Sequence, residues 1–326
     1  MNLDSLTQVN RRPPSWWLML GAATLATAAL VQERSRHAER TNPPLGRFVT
    51  VGGVRLHYIE RGEGDPLVLL HGNATGAMDF LLSDVFGKAA RQYRVIVFDR
   101  PGYGYSERPR GGVTWGPEAQ AVLLHKALVK IGAAKALVLG HSWGAMVALA
   151  LALEHPESVR GLVLLSGYYY PTLRLDVPLA AVPAIPILGD LLRFTLSPLV
   201  ARASWPLAVK AMFTPASVPE HFWRFPAWMS ARPSQLRASA AEAAEMVPAA
   251  ARLSKRYREL GVSPVIMAGS EDRVAFPSRH SQILHAELHR SRLRMIDGMG
   301  HMLHHLDPEA VLKAIGEAHG LAAPRI

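Results

Sequence analysis

A serine flanked by glycines two places away on either side, Gly140-His141-Ser142-Trp143-Gly144, stands between the apolar run Ala136 to Leu139 and the small-residue stretch Ala145 to Leu153. These compositions predict a strand, a sharp turn and a helix, with the serine at the apex. A serine held on such a turn has a strained backbone and tolerates only small neighbours, and Gly140 and Gly144 meet that demand. The turn lifts the Ser142 hydroxyl above the carboxyl end of the strand. The first amides of the helix, with the positive end of its dipole, lie beside the place where an oxyanion would form.

A serine hydroxyl is a weak nucleophile until a base takes its proton, and the base needs a carboxylate to orient it. Two later segments supply both. Gly269-Ser270-Glu271-Asp272-Arg273-Val274 follows the apolar run Pro264 to Ala268, and Gly298-Met299-Gly300-His301 follows Leu293 to Ile296. Each puts its chemistry in a loop just past a strand, so Asp272 and His301 are the candidate acid and base, with Glu271 the rival acid beside Asp272. The oxyanion needs two donors, expected from the backbone N–H groups of Trp143 and of Asn73, which follows His71-Gly72 at another strand end. His71 is expected to support that loop by hydrogen bonding. His304 and His305 read as surface or packing histidines, because no carboxylate cluster accompanies them in the sequence.

The elements that must position these groups are legible around them. Phe48 to Val51, Gly52-Gly53 and Leu56 to Glu60 predict a hairpin. Strands are expected at Pro66 to Leu70, Arg94 to Phe98, Ala136 to Leu139, Gly161 to Leu165, Pro264 to Ala268 and Leu293 to Ile296. Helices are expected at Phe80 to Ala90, Glu118 to Ile131 and Pro308 to Ala318. Apolar strands alternating with helices imply a mostly parallel sheet covered on both faces, with ligands at the carboxyl ends of the strands. Tyr168 to Leu253 breaks this rhythm with many prolines and helical pieces such as Leu199 to Met212 and Gln235 to Met246, which reads as a helical cap inserted in the core. The expected division is 1–44 (N-terminal segment and linker), 45–167 (core), 168–253 (cap) and 254–326 (core).

A chain of 326 residues, 49% hydrophobic and 19% charged, is globular and long enough for a large single core. Its formal charge of +10 comes from arginines scattered along the sequence, with no basic run interleaved with aromatics, so nucleic acid is not the expected partner. The absence of cysteine excludes disulfides, thiolate metal sites and a cysteine nucleophile. No metal-ligand spacing or phosphate-binding glycine loop is found, and no cofactor is expected; Gly102-Tyr103-Gly104 lacks the third glycine of a dinucleotide site. Near the amino terminus, Ser15 to Val31 carries no charge, follows Arg11-Arg12 and precedes Glu33, Arg34 and Arg36. It is expected to anchor the chain to a membrane, with Trp16 and Trp17 at the interface. A cleaved signal peptide, cut near Ala26-Thr27-Ala28 and giving a secreted or periplasmic protein, is the alternative. More basic residues follow the segment than precede it, which leans toward a cytoplasmic catalytic domain. Arg34 to Leu45, ending in Asn42-Pro43-Pro44, reads as a linker.

The His71-Gly72 loop, the Asp99-Arg100-Pro101-Gly102-Tyr103-Gly104 stretch, the elbow and the Asp272 and His301 loops together resemble the α/β-hydrolase superfamily over about Arg47 to Gly320. The chain looks most like the capped group containing haloalkane dehalogenases, epoxide hydrolases, carbon–carbon hydrolases, perhydrolases and small-ester esterases. The resemblance implies an α/β-hydrolase fold with a mostly parallel eight-stranded sheet, helices on both faces and an inserted cap. His71-Gly72-Asn73 with Trp143 is similar to the dehalogenase pattern, in which Asn and Trp side chains hold the leaving halide. Dehalogenases and epoxide hydrolases use an aspartate at the elbow, however, and this chain has Ser142. An alkoxide attacks an alkyl halide feebly and leaves an ether that cannot be hydrolysed as an ester can. Ser142 therefore implies acyl chemistry on an apolar small ester. Amide hydrolysis, acyl transfer, perhydrolysis or carbon–carbon hydrolysis are alternatives with the same residues, and a non-catalytic ligand receptor is an alternative of another class. Among the cap aromatics, Tyr168, Phe222, Trp223 and Trp228 are the candidate substrate contacts.

Overall fold

The computed structural model describes residues 15–111 and 113–322; Arg11 and Arg12, and the rest of residues 1–14, lie outside the described residues. Eight strands form one sheet: β1 (Arg47–Val51), β2 (Val54–Arg61), β3 (Pro66–Leu70), β4 (Arg94–Phe98), β5 (Ala136–His141), β6 (Val159–Leu165), β7 (Pro264–Gly269) and β8 (Arg292–Ile296), in the spatial order β1-β2-β4-β3-β5-β6-β7-β8. The β1–β2 and β2–β4 pairs are antiparallel, and all the others are parallel. The strand order reverses around β3, so its carboxyl end and that of neighbouring β5 open on the crevice where ligands bind in such sheets.

The strands are apolar throughout because both faces are covered, and their two-residue period sorts side chains into two cores. Val68, Leu70, Ile96, Phe98, Val138, Leu162 and Leu164 face α4 (Pro117–Lys130) and α5 (Trp143–Glu154). Leu67, Leu69, Val95, Val97, Leu139, Val163 and Leu165 face α2 (Ala77–Leu82), α3 (Asp84–Ala89) and α13 (Pro308–Ala322). The single helix expected over Phe80 to Ala90 is two, because Ser83 takes an extended conformation and its hydroxyl donates to the Phe80 carbonyl at 3.0 Å.

Between β6 and β7 the regular elements are all helical: α6 (Val177–Ala181), α7 (Leu188–Phe194), α8 (Leu196–Phe213), α9 (Ala227–Ser230) and α10 (Pro233–Leu253), with short 3₁₀ turns. The remaining helices, α11 (Ser281–Glu287) and α12 (Leu303–Leu306), flank β8.

The amino-terminal helix, α1 (Ser15–Thr41), is 27 residues long and continues through most of the segment expected to be a linker. Its last turns are held by tertiary contacts. Val31, Ser35 and Ala38, spaced along one face, are buried, Glu39 pairs with Arg232 at 2.7 Å, and the Tyr105 hydroxyl donates to the Glu39 carbonyl at 3.2 Å. Among the described residues no single helix is long and apolar enough to cross a membrane. The first half of α1 nonetheless exposes Trp16, Trp17, Leu18, Met19 and Leu20.

Candidate active site

Ser142 joins β5 to α5 with φ 53° and ψ −119°, a strained conformation for a residue with a Cβ, worth on the order of 1–3 kcal/mol. The turn is enforced sterically. A Cβ at Gly140 would lie 2.3 Å from the Gly144 carbonyl oxygen, and one at Gly144 would lie 2.1 Å from that of Leu70. α5 is buried on nearly every side from Trp143 to Ala152, so the turn is anchored between a central strand and a core helix.

Asp272 and His301 come together from loops that are separate in sequence. The His301 Nδ1–H donates to Asp272 Oδ2 at 2.8 Å, and Asp272 Oδ1 accepts the Val274 and Ala275 amides at 2.8 and 2.9 Å. With Nδ1 engaged by a carboxylate, Nε2 is the nitrogen left for proton transfer. The imidazole centroid lies 4.9 Å from that of His141, the residue before Ser142, which puts the ring beside the elbow. Glu271 is exposed, and it is Asp272 rather than Glu271 that accepts from His301. The cap also holds this loop: the His301 N–H donates to the Met212 carbonyl at 3.2 Å, and a Cβ at Gly300 would lie 2.1 Å from the Thr214 carbonyl oxygen.

Asn73, Ser142 and Trp143 line one cavity of about 220 Å³ with Tyr168, Met212, Met246, Val177, Ala180, Val274 and Ala275. The Asn73 backbone N–H has no partner among the described residues, and the Trp143 N–H, in the first turn of α5, has no intrahelical acceptor. The Asn73 side chain is taken up by the cap: its amide donates to the Ser239 carbonyl at 3.0 Å and to Glu242 at 3.3 Å. Only its backbone therefore faces the site as a free donor. Of the four aromatics expected to contact substrate, Tyr168 lines this cavity. Phe222 is buried in a closed cluster with Phe213, Phe225 and Met302, Trp223 is exposed, and Trp228 is half-buried off the cavity wall. Phe222 serves instead to pack the cap against Met302 and, through Met78 and Leu82, against α2.

Glu242 was not singled out in the sequence, where it sits in an alanine-rich helix. It is fully buried, and α10 drives it into the core onto Arg100, which is equally buried. Tyr103 and Gln120 donate to its two oxygens at 2.7 and 2.9 Å. Arg100 in turn donates to the carbonyls of His71 and Gly72 at 2.8 and 2.9 Å, so the cap carboxylate fixes the cation that fixes the loop leading to Asn73. Burial pushes the Tyr103 hydroxyl well above its ordinary pKa, with the Glu242 charge adding to this, so Tyr103 acts purely as a donor. His71 supports the loop as expected. Nδ1–H donates to the Gly72 carbonyl at 2.7 Å and Nε2 accepts the Arg100 amide at 3.0 Å. Burial, aided by the Arg100 charge, lowers its pKa to about 4, which keeps the ring neutral.

His304 and His305 are buried rather than at the surface, and they do have a carboxylate. Asp79, from α2, accepts their Nε2–H groups on Oδ1 at 3.1 and 2.9 Å. Burial would raise the Asp79 carboxyl, but the two rings beside it hold it well below the usual carboxylate range.

The family described as alpha/beta hydrolase fold matches residues 65–308. Haloalkane dehalogenase 2 of Mycobacterium tuberculosis is 32% identical over 117 residues, which are 36% of this chain and 40% of the dehalogenase, so the chain spans about two-fifths of that relative's length. The 2-hydroxy-6-oxo-2,4-heptadienoate hydrolase of Pseudomonas putida is 27% identical over 266 residues, 80% of this chain and 91% of that enzyme. Among solved structures, a thermophilic esterase from Thermogutta terrifontis superposes with a TM-score of 0.66 at 21% identity, covering 83% of this chain and 97% of its own. A membrane phospholipase A, a bacterial virulence factor, superposes with a TM-score of 0.66 at 19% identity, covering 95% of this chain and 97% of its own. The sheet order, the inserted helical cap and the match over most of the chain lead to one conclusion: this chain belongs to the α/β-hydrolase fold family.

Proposed function

We propose that this protein is a hydrolase that cleaves carboxylic esters with apolar acyl groups, through an acyl-enzyme on Ser142. The observation that carries the reading is the Asp272–His301 pair, bonded at 2.8 Å beside the strained serine turn. In the proposed sequence, Ser142 Oγ bonds to the ester carbonyl carbon as His301 Nε2 takes its proton. The carbonyl electrons move onto oxygen, where the Asn73 and Trp143 amides receive them. The carbon–oxygen bond to the alcohol then breaks, and the alcohol leaves with the proton from His301. Water, deprotonated by His301, attacks the acyl-enzyme and releases acid and free serine.

The cavity wall supports a neutral, apolar acyl group. Its one side-chain cation, Arg174, is occupied by Asp176 in two hydrogen bonds of 2.8 and 2.7 Å. A dienoate substrate like that in the name of the Pseudomonas hydrolase would need a free cation for its carboxylate, so carbon–carbon hydrolysis is the second reading, supported by that likeness alone. Hydrolysis of p-nitrophenyl esters of graded acyl length, with the Ser142→Ala protein alongside, tests the proposal. Turnover that peaks at one chain length and falls by about 10⁴–10⁶ in Ser142→Ala is the expected result. Turnover of a 2-hydroxy-6-oxo dienoate with none on any ester would overturn it.

The exposed aromatic and aliphatic side chains at the start of α1 support attachment of this enzyme to a lipid surface. The phospholipase likeness, whose coverage must reach into α1, supports the same reading. Sedimentation of the full-length protein with anionic vesicles, lost in Trp16→Ser/Trp17→Ser, is the expected behaviour; equal sedimentation of both proteins would remove it.

A further inference from the structure

Ten buried side-chain polar atoms lack a hydrogen-bond partner among the described residues, and three of them belong to one cluster: Asp79 Oδ2, His141 Nδ1 and His304 Nδ1. The cluster lies behind the Ser142 turn and next to the His301 loop, and all three residues are buried. Burial lowers the pKa of His141 and of His304, and in the neutral rings their partners fix which nitrogen carries the proton. His141 Nε2 faces the His301 carbonyl at 3.2 Å, and a carbonyl only accepts, so the proton is on Nε2 and Nδ1 presents a lone pair. His304 Nε2 faces Asp79 Oδ1 at 3.1 Å, so its proton is likewise on Nε2 and its Nδ1 is bare. Asp79 Oδ2 is a carboxylate oxygen. The orphaned atoms are therefore all acceptors, gathered in a dry interior around one negative charge. A water molecule can donate to only two acceptors; a cation satisfies any number.

Each of the three residues brings a ligand atom within 4.8 Å of the other two. Asp79 Oδ2 and His141 Nδ1 stand 3.9 Å apart, too far to bond each other. An ion whose bonds to N and O run about 2.0–2.2 Å spans that gap with both bonds near their normal length. Two imidazoles and a carboxylate suit a borderline divalent metal rather than calcium or magnesium. His141 also donates its other N–H to a backbone carbonyl, the support that metal-bound histidines usually have. We propose that Asp79, His141 and His304 form a buried site for one divalent first-row transition-metal ion of zinc's type. It would tie α2, the serine turn and α12 together from behind the reaction face.

The test uses full-length, untagged protein stripped by a chelator and then titrated with Zn²⁺ against a chromophoric competitor. A second histidine–carboxylate group, His125, His155 and Glu157, lies elsewhere in the fold, so His125→Gln/His155→Gln serves as the background. One Zn²⁺ per chain is expected in that background, with a melting temperature that rises with free Zn²⁺. Adding Asp79→Asn or His304→Gln is expected to abolish the equivalent while far-UV circular dichroism is retained. If neither variant folds, Co²⁺ bound to the background protein decides. Intense visible absorption of a tetrahedral site supports the proposal, and a weak octahedral spectrum overturns it. Absence of stoichiometric Zn²⁺ in the background protein, or its persistence in both folded variants, also overturns it.

Discussion

Two buried carboxylates, Asp272 and Glu242, each hold a nitrogen-bearing side chain near the Ser142 turn, and they are built for different work. Asp272 holds the Nδ1 side of His301, an imidazole, and leaves its second nitrogen uncommitted. Glu242 holds Arg100, which never loses its charge, and the guanidinium is further committed to Gln120 and to the His71 and Gly72 carbonyls. In the proposed function the first pair keeps a proton mobile at a fixed place; the second keeps a backbone loop fixed with a charge that cannot move. The first arises within the α/β core, from two loops past neighbouring strands. The second exists only because a cap helix is pressed onto that core.

The comparison can be broken first at the mobile end. Asp272→Asn should leave the fold intact and lower kcat by about 10⁴, because the amide no longer selects the right tautomer of His301. Ester turnover by that variant within tenfold of the parent would remove Asp272 from its role. Glu242→Gln attacks the fixed end and leaves the Arg100 charge uncompensated, so a destabilisation of about 3–5 kcal/mol is expected in chemical denaturation. If stability holds and only ester turnover falls, the pair acts on the reaction rather than on the loop.

Acid sharpens the same distinction. His71, facing Arg100, Tyr103, Asp99 and Glu242, and His280, facing Asp272, Arg174 and Arg279, are both lowered by burial to a pKa of about 4 in the folded chain. Each binds its proton more readily when unfolded, near pH 6.5. Stability is therefore complete above pH 6.5 and drains away as the pH falls toward 4, by up to about 3 kcal/mol for each ring. Denaturant midpoints that stay flat from pH 7 to pH 4.5 would contradict this. The smallest contrast lies in the cap aromatics. Trp223→Ala should change neither KM nor stability by more than about 0.5 kcal/mol, since its ring is exposed, whereas Tyr168→Ala should raise KM. Equal effects of the two on KM would mean that the cavity extends beyond its present wall.

The pattern of what the sequence reveals follows from range. Ser142 is legible because its glycines answer a steric demand within five residues, and Asp272 and His301 because each follows its own apolar strand. The sheet is legible because strands buried on both faces read as apolar runs, with β3 and β4 recovered residue for residue. Glu242 is not, because in an Ala-Glu-Ala-Ala-Glu stretch it has the look of a solvated helix face, and only the docking of α10 reveals that Glu242 is buried while Glu245 is not. Asp79 hides for the same reason, its histidines lying more than two hundred residues away. The last turns of α1 read as linker because the residues that hold them, Arg232 and Tyr105, belong to other parts of the fold.

The bond from the His301 amide to the Met212 carbonyl, with Gly300 pressed against Thr214, bears on how such a protein can change over generations. A cap is often imagined as an interchangeable hat, free to be traded for another specificity while the machinery beneath stays the same. Here the end of α8 is part of the mould that shapes the His301 loop, and α10 contributes Glu242 to the support of the His71-Gly72 loop. New substrate preferences are therefore more accessible through single changes on the cavity wall, at Ala243 or Met246, than through wholesale exchange of the segment between β6 and β7.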